Sequence, residues 1–342
     1  MAFLKRLISF LFGLTVLAAL ALAGGWLWFN GQVTAPGPTT SEQVFIVQEG
    51  ETLSSVAKRL ETDGFIPDAR LLRVRAKLDG TETGIKKGEF VIPAEASVAD
   101  ILDKLVDGKA IVHKLTIPEG FTVAQAMKRI AANKKLTGDL PDVLPAEGEI
   151  LADTYFFNRG LTRAELVDRM VFAQDRLLEE LWETRQADLP IKTPQEAVIL
   201  ASIVEKETGR ADERGLVAGL FINRMKKGIR LQSDPTIIYG ISKGEPLYNK
   251  RGQRRTLYRS EIDRKTDWNT YQIDGLPKTP ISNPGRDAIA AVLNPEKTDY
   301  IFFVADGKGG HLFAKTNAQH NRNVAAFRRY ERGEIERERS GN

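Results

Sequence analysis

Residues 193–209 read TPQEAVILASIVEKETG and predict a helix that is apolar on almost every side. Thr193 is a suitable N-cap, Pro194 favours the first helical position, and Glu196 completes a capping box with Thr193. Gly209 is a typical stop. Between these signals only Ser202 interrupts the apolar run from Ala197 to Val204. A helix with so little polar surface is predicted to lie at the centre of a folded domain.

Two glutamates, Glu205 and Glu207, follow this apolar run. At about 100° per residue their side chains point about 200° apart, so both cannot face one cleft. Either carboxyl has two possible uses. It can form a salt bridge or cap to a neighbouring helix, or it can be desolvated, which raises the pKa and lets it donate a proton to a leaving oxygen. Helical periodicity alone does not indicate which of the two glutamates would be the proton donor.

The overall composition is that of an ordinary globular protein. The 342 residues are 42% hydrophobic and 27% charged, with a net charge of +4. There is no cysteine and there are three histidines, so disulfides, thiolate zinc sites and cysteine nucleophiles are excluded, and a histidine-rich metal centre is not expected. We predict no metal and no cofactor. The basic run KRGQRR at 250–255 is interpreted as a solvated loop, so nucleic acid is not a predicted partner.

The N-terminal segment predicts a membrane anchor. Residues 7–29 carry no charge and would span roughly 35 Å as a helix. Lys5 and Arg6 precede the run, which predicts a cytoplasmic tail at 1–6 and export of the remainder. The alternative is a signal peptide cleaved near ALA at 21–23, but the apolar run continues beyond it. Residues 30–43, rich in Pro, Gly and Thr, are predicted to be a linker.

The region 44–130 contains a repeated pattern of a short apolar run, a polar turn and a helix start. FIVQEGETLSSVAKRL begins at 45, FVIPAEASVADILDKL at 90, and LTIPEGFTVAQAMKRI follows at 115. The first resembles the LysM module, a small fold that binds glycan chains. The alternative is an ordinary strand–turn–helix start. We therefore predict one or more LysM-like strand–helix modules over 44–112, and whether they bind glycan stays open.

The region 113–335 predicts a mixed α and β domain, followed by a charged tail at 336–342. Helices are expected near 163–185, 194–208, 212–227 and 317–332, and strands near 271–274 and 300–305. YIFFVADGKGGHLF is typical of a hairpin with DGKGG as its turn. Loops are expected over 231–285. The predicted fold class is α+β, with a single N-terminal transmembrane helix.

Four long motifs carry a specific resemblance. They are ILASIVEKET, LFINRMKKGIRLQSDPTIIYG, WNTYQIDGLPKTPISNPGRDAI and YIFFVADGKGGHLFAKTNAQHN, in this order. Together they resemble the endolytic murein transglycosylase family (MltG or YceG-like). The resemblance implies a lyase of the bacterial inner membrane, with a cytoplasmic N-terminus and a periplasmic catalytic domain. It would cut the β-1,4 bond between N-acetylmuramic acid and N-acetylglucosamine within peptidoglycan strands, without water, leaving 1,6-anhydro ends.

The resemblance also implies site residues and partners. The family's catalytic glutamate corresponds to the first glutamate of EKE, which is Glu205. The residues taken from the motifs as candidate sugar contacts are Ser202, Asn223, Gln232, Asp234, Thr236, Tyr239, Asn269 and Tyr271. Each has a second interpretation as a residue that stabilises a loop. The implied partners are peptidoglycan glycan strands, the inner membrane and cell-wall polymerases (penicillin-binding proteins), with the enzyme terminating or trimming nascent strands.

Two other functions remain open from the sequence. One is a hydrolytic muramidase that uses water, with Asp234 as its second carboxylate. The other is a non-catalytic scaffold that binds peptidoglycan through the LysM-like region and recruits synthetic enzymes. The first differs from a transglycosylase in its products, and the second predicts that Glu205 is dispensable.

Overall fold

The structure, a computed structural model, describes residues 2–340, with side chains over 3–333. Within that range it divides into two compact units. The first comprises residues up to His113 together with 156–161, and the second comprises 114–155 and the residues from Thr162 onward. Both units combine helices with short two-stranded sheets, as the predicted α+β class requires. Nothing in the fold tests whether the first unit is a LysM module, which stays a prediction.

The helices and strands are separated by short segments except for three longer connections, at 132–153, 243–258 and 263–285. Up to the end of the first unit's main segment they are α1 (Ala2–Thr34), β1 (Gln43–Val47), α2 (Leu53–Thr62), α3 (Ala69–Asp79), β2 (Gly88–Ile92), α4 (Val98–Val106) and β3 (Val112–Thr116). They continue as α5 (Val123–Ala131), β4 (Thr154–Asn158), α6 (Arg163–Glu183), α7 (Pro194–Glu207), α8 (Ala211–Lys226), α9 (Asp234–Ser242), α10 (Arg259–Ile262), α11 (Arg286–Leu293), β5 (Phe302–Ala305), β6 (His311–Ala314) and α12 (Asn317–Ser340).

Helix α1 is long and apolar enough to cross a bilayer. The qualifying span is Phe3–Thr34, with a mean hydropathy of 2.3 in its most apolar window and none of that window buried. A signal sequence passes the same test of length and composition, so anchoring remains a prediction. The helix runs past residue 29 into the stretch predicted as a linker, and Val33 is fully buried in the core of the first unit.

The first unit is built on the antiparallel pair β1–β2, with Phe45 opposite Phe90. Helices α2, α3 and α4 cover this pair, and both phenylalanines are almost fully buried among their apolar residues. The segment after α1 is part of the same unit, because the Gly37 N–H donates to the carbonyl of Glu95 at 3.0 Å. Strands β3 and β4 pair with each other and contribute residues to both units.

The second unit is organised around α7. Every residue from Ala197 to Val204 is buried, which confirms the prediction of a central helix. Helices α6, α8, α9 and α11 contact α7. The Thr193 side chain accepts the Glu196 N–H at 3.1 Å, as predicted for an N-cap. The predicted capping box is wrong, because the Glu196 carboxylate accepts the N–H of Lys192 at 2.6 Å and not that of the N-cap.

Two further predictions for the second unit are wrong. Residues 271–274 are not a strand: the N–H groups of Gln272 and Ile273 both donate to the Asn269 carbonyl, which folds them into a turn. The stretch 231–285 is not only loop, because it contains α9 and α10. The signal for α9 is visible in hindsight, since Ser233 and Pro235 suit a helix start. The predicted hairpin is confirmed as β5–β6, with Phe303 opposite Phe313.

Candidate active site

Glu205 lies in the last turn of α7, where the buried helix reaches the edge of the core. Its side chain is partly buried, and Oε2 accepts the N–H of Gly285, the N-cap of α11, at 3.1 Å. No described residue forms a hydrogen bond with Oε1. One carboxyl oxygen is therefore held by the backbone, while the other has no hydrogen-bond partner among the described residues.

The surroundings of Glu205 favour its protonated form. Burial raises the pKa of the Glu205 carboxyl, the hydrogen bond from Gly285 opposes that effect, and the negative charge of Glu119 raises the pKa further. The positive charges of Arg214 and Lys206 act in the opposite direction. A carboxyl with a raised pKa suits a group that donates a proton near neutral pH.

A cavity of about 650 Å³ lies beside this carboxyl. Its wall contains Gly120 and Lys206, and a methyl group built on Gly120 would lie 3.5 Å from Cγ of Glu205. Glu205 therefore lies behind Gly120, and the cavity lining includes Gly120 and Lys206 but not Glu205 itself. Gly120 has φ +75°, a left-handed conformation that favours glycine, and the missing side chain lets the turn approach the carboxyl closely.

Asn283 fixes the turn that carries Gly120. The Gly120 N–H donates to the Asn283 carbonyl at 2.9 Å, and both the Asn283 N–H and Nδ2 donate to the Phe121 carbonyl, at 2.8 and 2.9 Å. Lys206 Nζ also donates to the Gly120 carbonyl, at 3.3 Å. The site thus joins the turn after β3, the end of α7 and the segment before α11.

Sequence reasoning missed Glu119, Gly120, Asn283 and Gly285 as site residues. They lie in the motifs PEGF and ISNPG. The first was assigned only a strand–turn–helix role, and the second was used only for the family resemblance. A proline or glycine beside a polar residue at an element boundary is the signal that could have found them.

Asp234 and Tyr239, both predicted as sugar contacts, line the same cavity. Tyr271 joins them, because its hydroxyl donates to Asp234 Oδ1 at 2.8 Å. The Tyr239 ring packs edge-on against Trp268, with 5.6 Å between ring centroids. Burial, with a smaller effect of Glu147, raises the pKa of Tyr239 to about 12, so its hydroxyl stays a neutral donor.

Ser202, Thr236 and Asn269 are fully buried, and their polar groups bond within the protein. Ser202 Oγ donates to the Ile199 carbonyl at 2.7 Å and accepts the Ile281 N–H at 3.0 Å. Thr236 Oγ1 donates to the Ser233 carbonyl at 2.6 Å. Asn269 Nδ2 donates to two backbone carbonyls, at 3.0 and 2.6 Å. These three side chains have no surface to offer a sugar in this conformation.

Asn223 and Gln232 are not among the residues that line the cavity beside Glu205. Asn223 lines a separate cavity of about 1110 Å³, and its Nδ2 donates to the carbonyls of Thr298 and Tyr300, at 2.6 and 3.1 Å. Gln232 is exposed, and its Oε1 accepts a bond of 2.9 Å from Arg224. The larger cavity contains no residue of the site around Glu205.

Glu207 faces a different part of the core from Glu205. Its Oε1 accepts the Ser233 hydroxyl at 2.5 Å, at the start of α9. Burial, together with a smaller effect of Asp234, raises the pKa of Glu207 to about 7. Over residues 2–340, the structure contains no group of three or more His, Cys, Asp or Glu side chains placed to hold a metal ion.

Comparisons with known proteins agree with one another. The model of the YceG-like family matches residues 45–326. An endolytic murein transglycosylase of Streptococcus pneumoniae is 27% identical over 370 aligned positions, covering 93% of this chain and 65% of the relative. One of Bacillus subtilis is also 27% identical, over 307 positions that cover 81% of this chain and 82% of the relative.

A solved structure is also similar, that of a YceG-like protein of Listeria monocytogenes. It is 25% identical, with a TM-score of 0.48, and the match covers 83% of this chain and 99% of that one. The chain spans 65% of the length of the streptococcal relatives. Because the family model covers most of the chain, from the first strand to the last helix, the chain belongs to the YceG-like family.

Proposed function

We propose that this protein is an endolytic lytic transglycosylase that cleaves peptidoglycan glycan strands. It cuts the β-1,4 bond between N-acetylmuramic acid and N-acetylglucosamine and leaves a 1,6-anhydro-muramyl end. The names of the relatives from two organisms support the reaction class. The observation that carries the assignment to this chain is Glu205, a partly buried carboxyl with a raised pKa that lies beside Gly120 of the cavity lining.

One carboxyl suffices for this reaction. Glu205 first gives its proton to the glycosidic oxygen as the bond to the anomeric carbon breaks. The resulting carboxylate then takes the proton from the muramyl C6 hydroxyl while that oxygen attacks the anomeric carbon. Glu205 ends protonated again, no water is consumed, and no second carboxylate is needed as nucleophile, unlike in a retaining hydrolase.

The cavity supplies side chains for holding the sugar. Asp234 and Tyr271 form an exposed hydrogen-bonded pair at its edge, and the Tyr239 ring forms part of its wall. Carboxylate and hydroxyl groups bond sugar hydroxyls, and a tyrosine ring contributes apolar area. We assign substrate contact to these three residues, and we assign to Ser202, Thr236 and Asn269 the role of holding the wall in place.

The proposal extends to the membrane. With α1 as a single transmembrane helix and Lys5 and Arg6 on the cytoplasmic side, both folded units lie outside the cytoplasm, in the periplasm of a bacterium with an inner membrane. A transglycosylase anchored in this membrane has access to glycan strands as they are synthesised. Cell-wall polymerases such as penicillin-binding proteins are its proposed partners, and termination or trimming of nascent strands is its proposed task.

The test is digestion of purified peptidoglycan by the full-length protein in detergent micelles, with mass spectrometry of the products. We expect anhydromuramyl ends from the wild type and a loss of about 10²- to 10⁴-fold in rate for Glu205→Gln, as is usual when a general acid–base is removed. Glu207→Gln is the matched control, because it makes the same change two residues away, and it should keep most of the rate. A folded Glu205→Gln protein that still cuts strands would contradict the assignment.

A hydrolytic muramidase is the second candidate, and one observation favours it. The carboxylate of Glu119 is close enough to Glu205 to raise its pKa. Asp234, the second carboxylate expected from the sequence, is not among the groups that affect the pKa of Glu205. Two carboxyl groups are what a water-using glycosidase needs. Digestion in ¹⁸O-labelled water separates the two reactions: labelled reducing ends indicate hydrolysis, and unlabelled anhydro ends indicate transglycosylation. A Glu205→Gln protein that keeps full cellular function would instead favour the non-catalytic scaffold.

A further inference from the structure

Glu119 is an exposed carboxylate at the edge of the candidate site. It precedes Gly120 in the turn between β3 and α5. No described residue gives it a hydrogen bond or an ion pair. An exposed glutamate normally needs no explanation, but this one lies beside Glu205.

Glu119 and Glu205 contact the same residue, Gly285. The Gly285 N–H holds Oε2 of Glu205 at 3.1 Å. A methyl group built on Gly285 would overlap the carboxylate of Glu119, so that carboxylate lies against the Gly285 Cα. The absence of a side chain at Gly285 therefore lets the two acidic groups approach one another.

Glu119 also borders two cavities. It lines the 650 Å³ cavity that contains Lys206, Asp234 and Arg254. It lines a second cavity of about 500 Å³ as well, together with Asp153 and the ion pair of Arg286 with Glu180. Glu119 is the residue that the linings of these two cavities share.

The charges around Glu205 come from three elements and one turn. Lys206 on α7 and Arg214 on α8 are cations, and Arg214 is itself paired at 3.2 Å with Asp287 on α11. The Gly285 N–H at the start of α11 favours the carboxylate in the same way. Among the described charged groups that act on Glu205, Glu119 is the anion. Its charge opposes the effects of Lys206, Arg214 and the Gly285 N–H, all of which favour the ionised form of Glu205.

We propose that Glu119 is a positioning residue that acts through Glu205: its negative charge keeps the proton on the Glu205 carboxyl until the glycosidic oxygen is in place. This inference rests on the proposed function. The same charge serves both halves of the reaction. It keeps Glu205 protonated for the first step, and it makes the Glu205 carboxylate a stronger base toward the C6 hydroxyl in the second.

The test measures the protonation of Glu205 directly and does not depend on turnover. A water-soluble carbodiimide reacts with protonated carboxyl groups, so the rate at which it modifies Glu205 in the full-length protein, followed by peptide mass spectrometry across pH, reports the midpoint of titration. Glu119→Gln should lower that midpoint by on the order of half a unit, as expected when a nearby like charge is removed. Glu119→Asp keeps the charge and should stay near the wild type.

Asp153→Asn is the matched control, because Asp153 lines the smaller cavity with Glu119 but does not act on Glu205. It should leave the midpoint unchanged. In glycan cleavage, the alkaline limb of the kcat/KM profile should move to lower pH by the same amount in Glu119→Gln. Above the pKa, this corresponds to a loss of about threefold in the protonated fraction.

The outcomes separate this inference from the proposed function. A midpoint that is the same in Glu119→Gln and in the wild type overturns the inference, whether or not the protein cuts glycan. A shifted midpoint in a protein that cuts no strand supports the coupling of the two carboxyl groups and rejects the proposed function. A shifted midpoint with the matching shift in the kcat/KM profile supports both.

Discussion

At the scale of single residues, two glutamates two positions apart have different environments. Glu205 accepts the backbone N–H of Gly285 beside a cavity, and Glu207 accepts the Ser233 hydroxyl at the start of α9. Burial raises the pKa of both carboxyl groups. The difference between them lies in what each contacts, because the Glu205 side chain lies beside Gly120 of the cavity lining, whereas Glu207 is hydrogen-bonded to Ser233. A raised pKa alone therefore does not identify a proton donor.

Glu207 should make the stability of the protein depend on pH. Its pKa is raised in the folded state from 4.5 to about 7, so the folded protein binds more protons than the unfolded chain between these values. The contribution is fully present below pH 4.5 and is lost as pH rises through about 7. From pH 4 to pH 8, the wild type should lose up to about 3 kcal/mol of unfolding free energy relative to Glu207→Gln.

Urea unfolding of the full-length proteins at pH 4 and pH 8 measures this difference. Glutamine can still accept the Ser233 hydroxyl, so the variant should fold, and it should be the more stable protein at pH 8. Glu183→Gln, at the exposed end of α6, is the control and should follow the wild type at both pH values. Parallel behaviour of Glu207→Gln and the wild type would contradict the prediction.

At the scale of elements, α7 is tied to the segment that leads into α11. Ser202 lies one turn before Glu205, and its Oγ accepts the Ile281 N–H. The Ser282 hydroxyl in turn donates to the Ser202 carbonyl at 3.4 Å. Gly285 follows three residues later and holds Glu205. The buried serine thus helps to set the distance between the catalytic candidate and its backbone donor.

Replacing Ser202 with alanine should cost stability and leave substrate affinity unchanged. The change leaves the buried Ile281 N–H without its acceptor, which typically costs about 1–3 kcal/mol. We expect that loss in urea unfolding, with KM for glycan strands close to that of the wild type. Ser260→Ala, at an exposed position in α10, is the control for both measurements. A raised KM at unchanged stability would instead indicate direct contact between Ser202 and the sugar.

At the scale of the whole molecule, the last residues of α1 and the segment that joins it to β1 belong to a folded unit. Val33 is fully buried and Thr39 nearly so. Glu95 receives the Gly37 N–H and donates its own N–H to the Thr39 carbonyl, at 3.0 and 2.8 Å. The proline- and glycine-rich composition of 30–43 predicted a linker, but composition does not exclude such contacts.

A soluble protein that begins at residue 43 should therefore have a less stable first unit than one that begins at residue 31. The shorter protein lacks Val33, whose burial contributes about 1.5–3 kcal/mol, and the two backbone hydrogen bonds, each about 0.5–1.5 kcal/mol. Hydrogen exchange of the β1 and β2 amides should be faster in the shorter protein. Amides of α7, in the other unit, serve as the internal control, and equal exchange of β1 and β2 in both proteins would contradict the prediction.

The sequence by itself determined the features that local signals encode. It predicted α7 from its cap and apolar run, the hairpin from its glycine-rich turn, and an apolar helix long enough for a membrane. The resemblance of four motifs predicted the family, which the family model confirms. Four residues at 271–274 were too few for periodicity to separate a strand from the turn that Asn269 forms.

Only the tertiary structure decided which side chains meet. Glu205 and Gly285 are 80 positions apart, and Glu119, which lies still earlier in the chain, contacts the same glycine. Ser202, Thr236 and Asn269 carry groups that suit a sugar, yet the fold uses them inside its wall. The physical reason is that helix periodicity gives the direction of a side chain relative to its own axis, whereas solvation and charge at a carboxyl depend on distant segments packed against it.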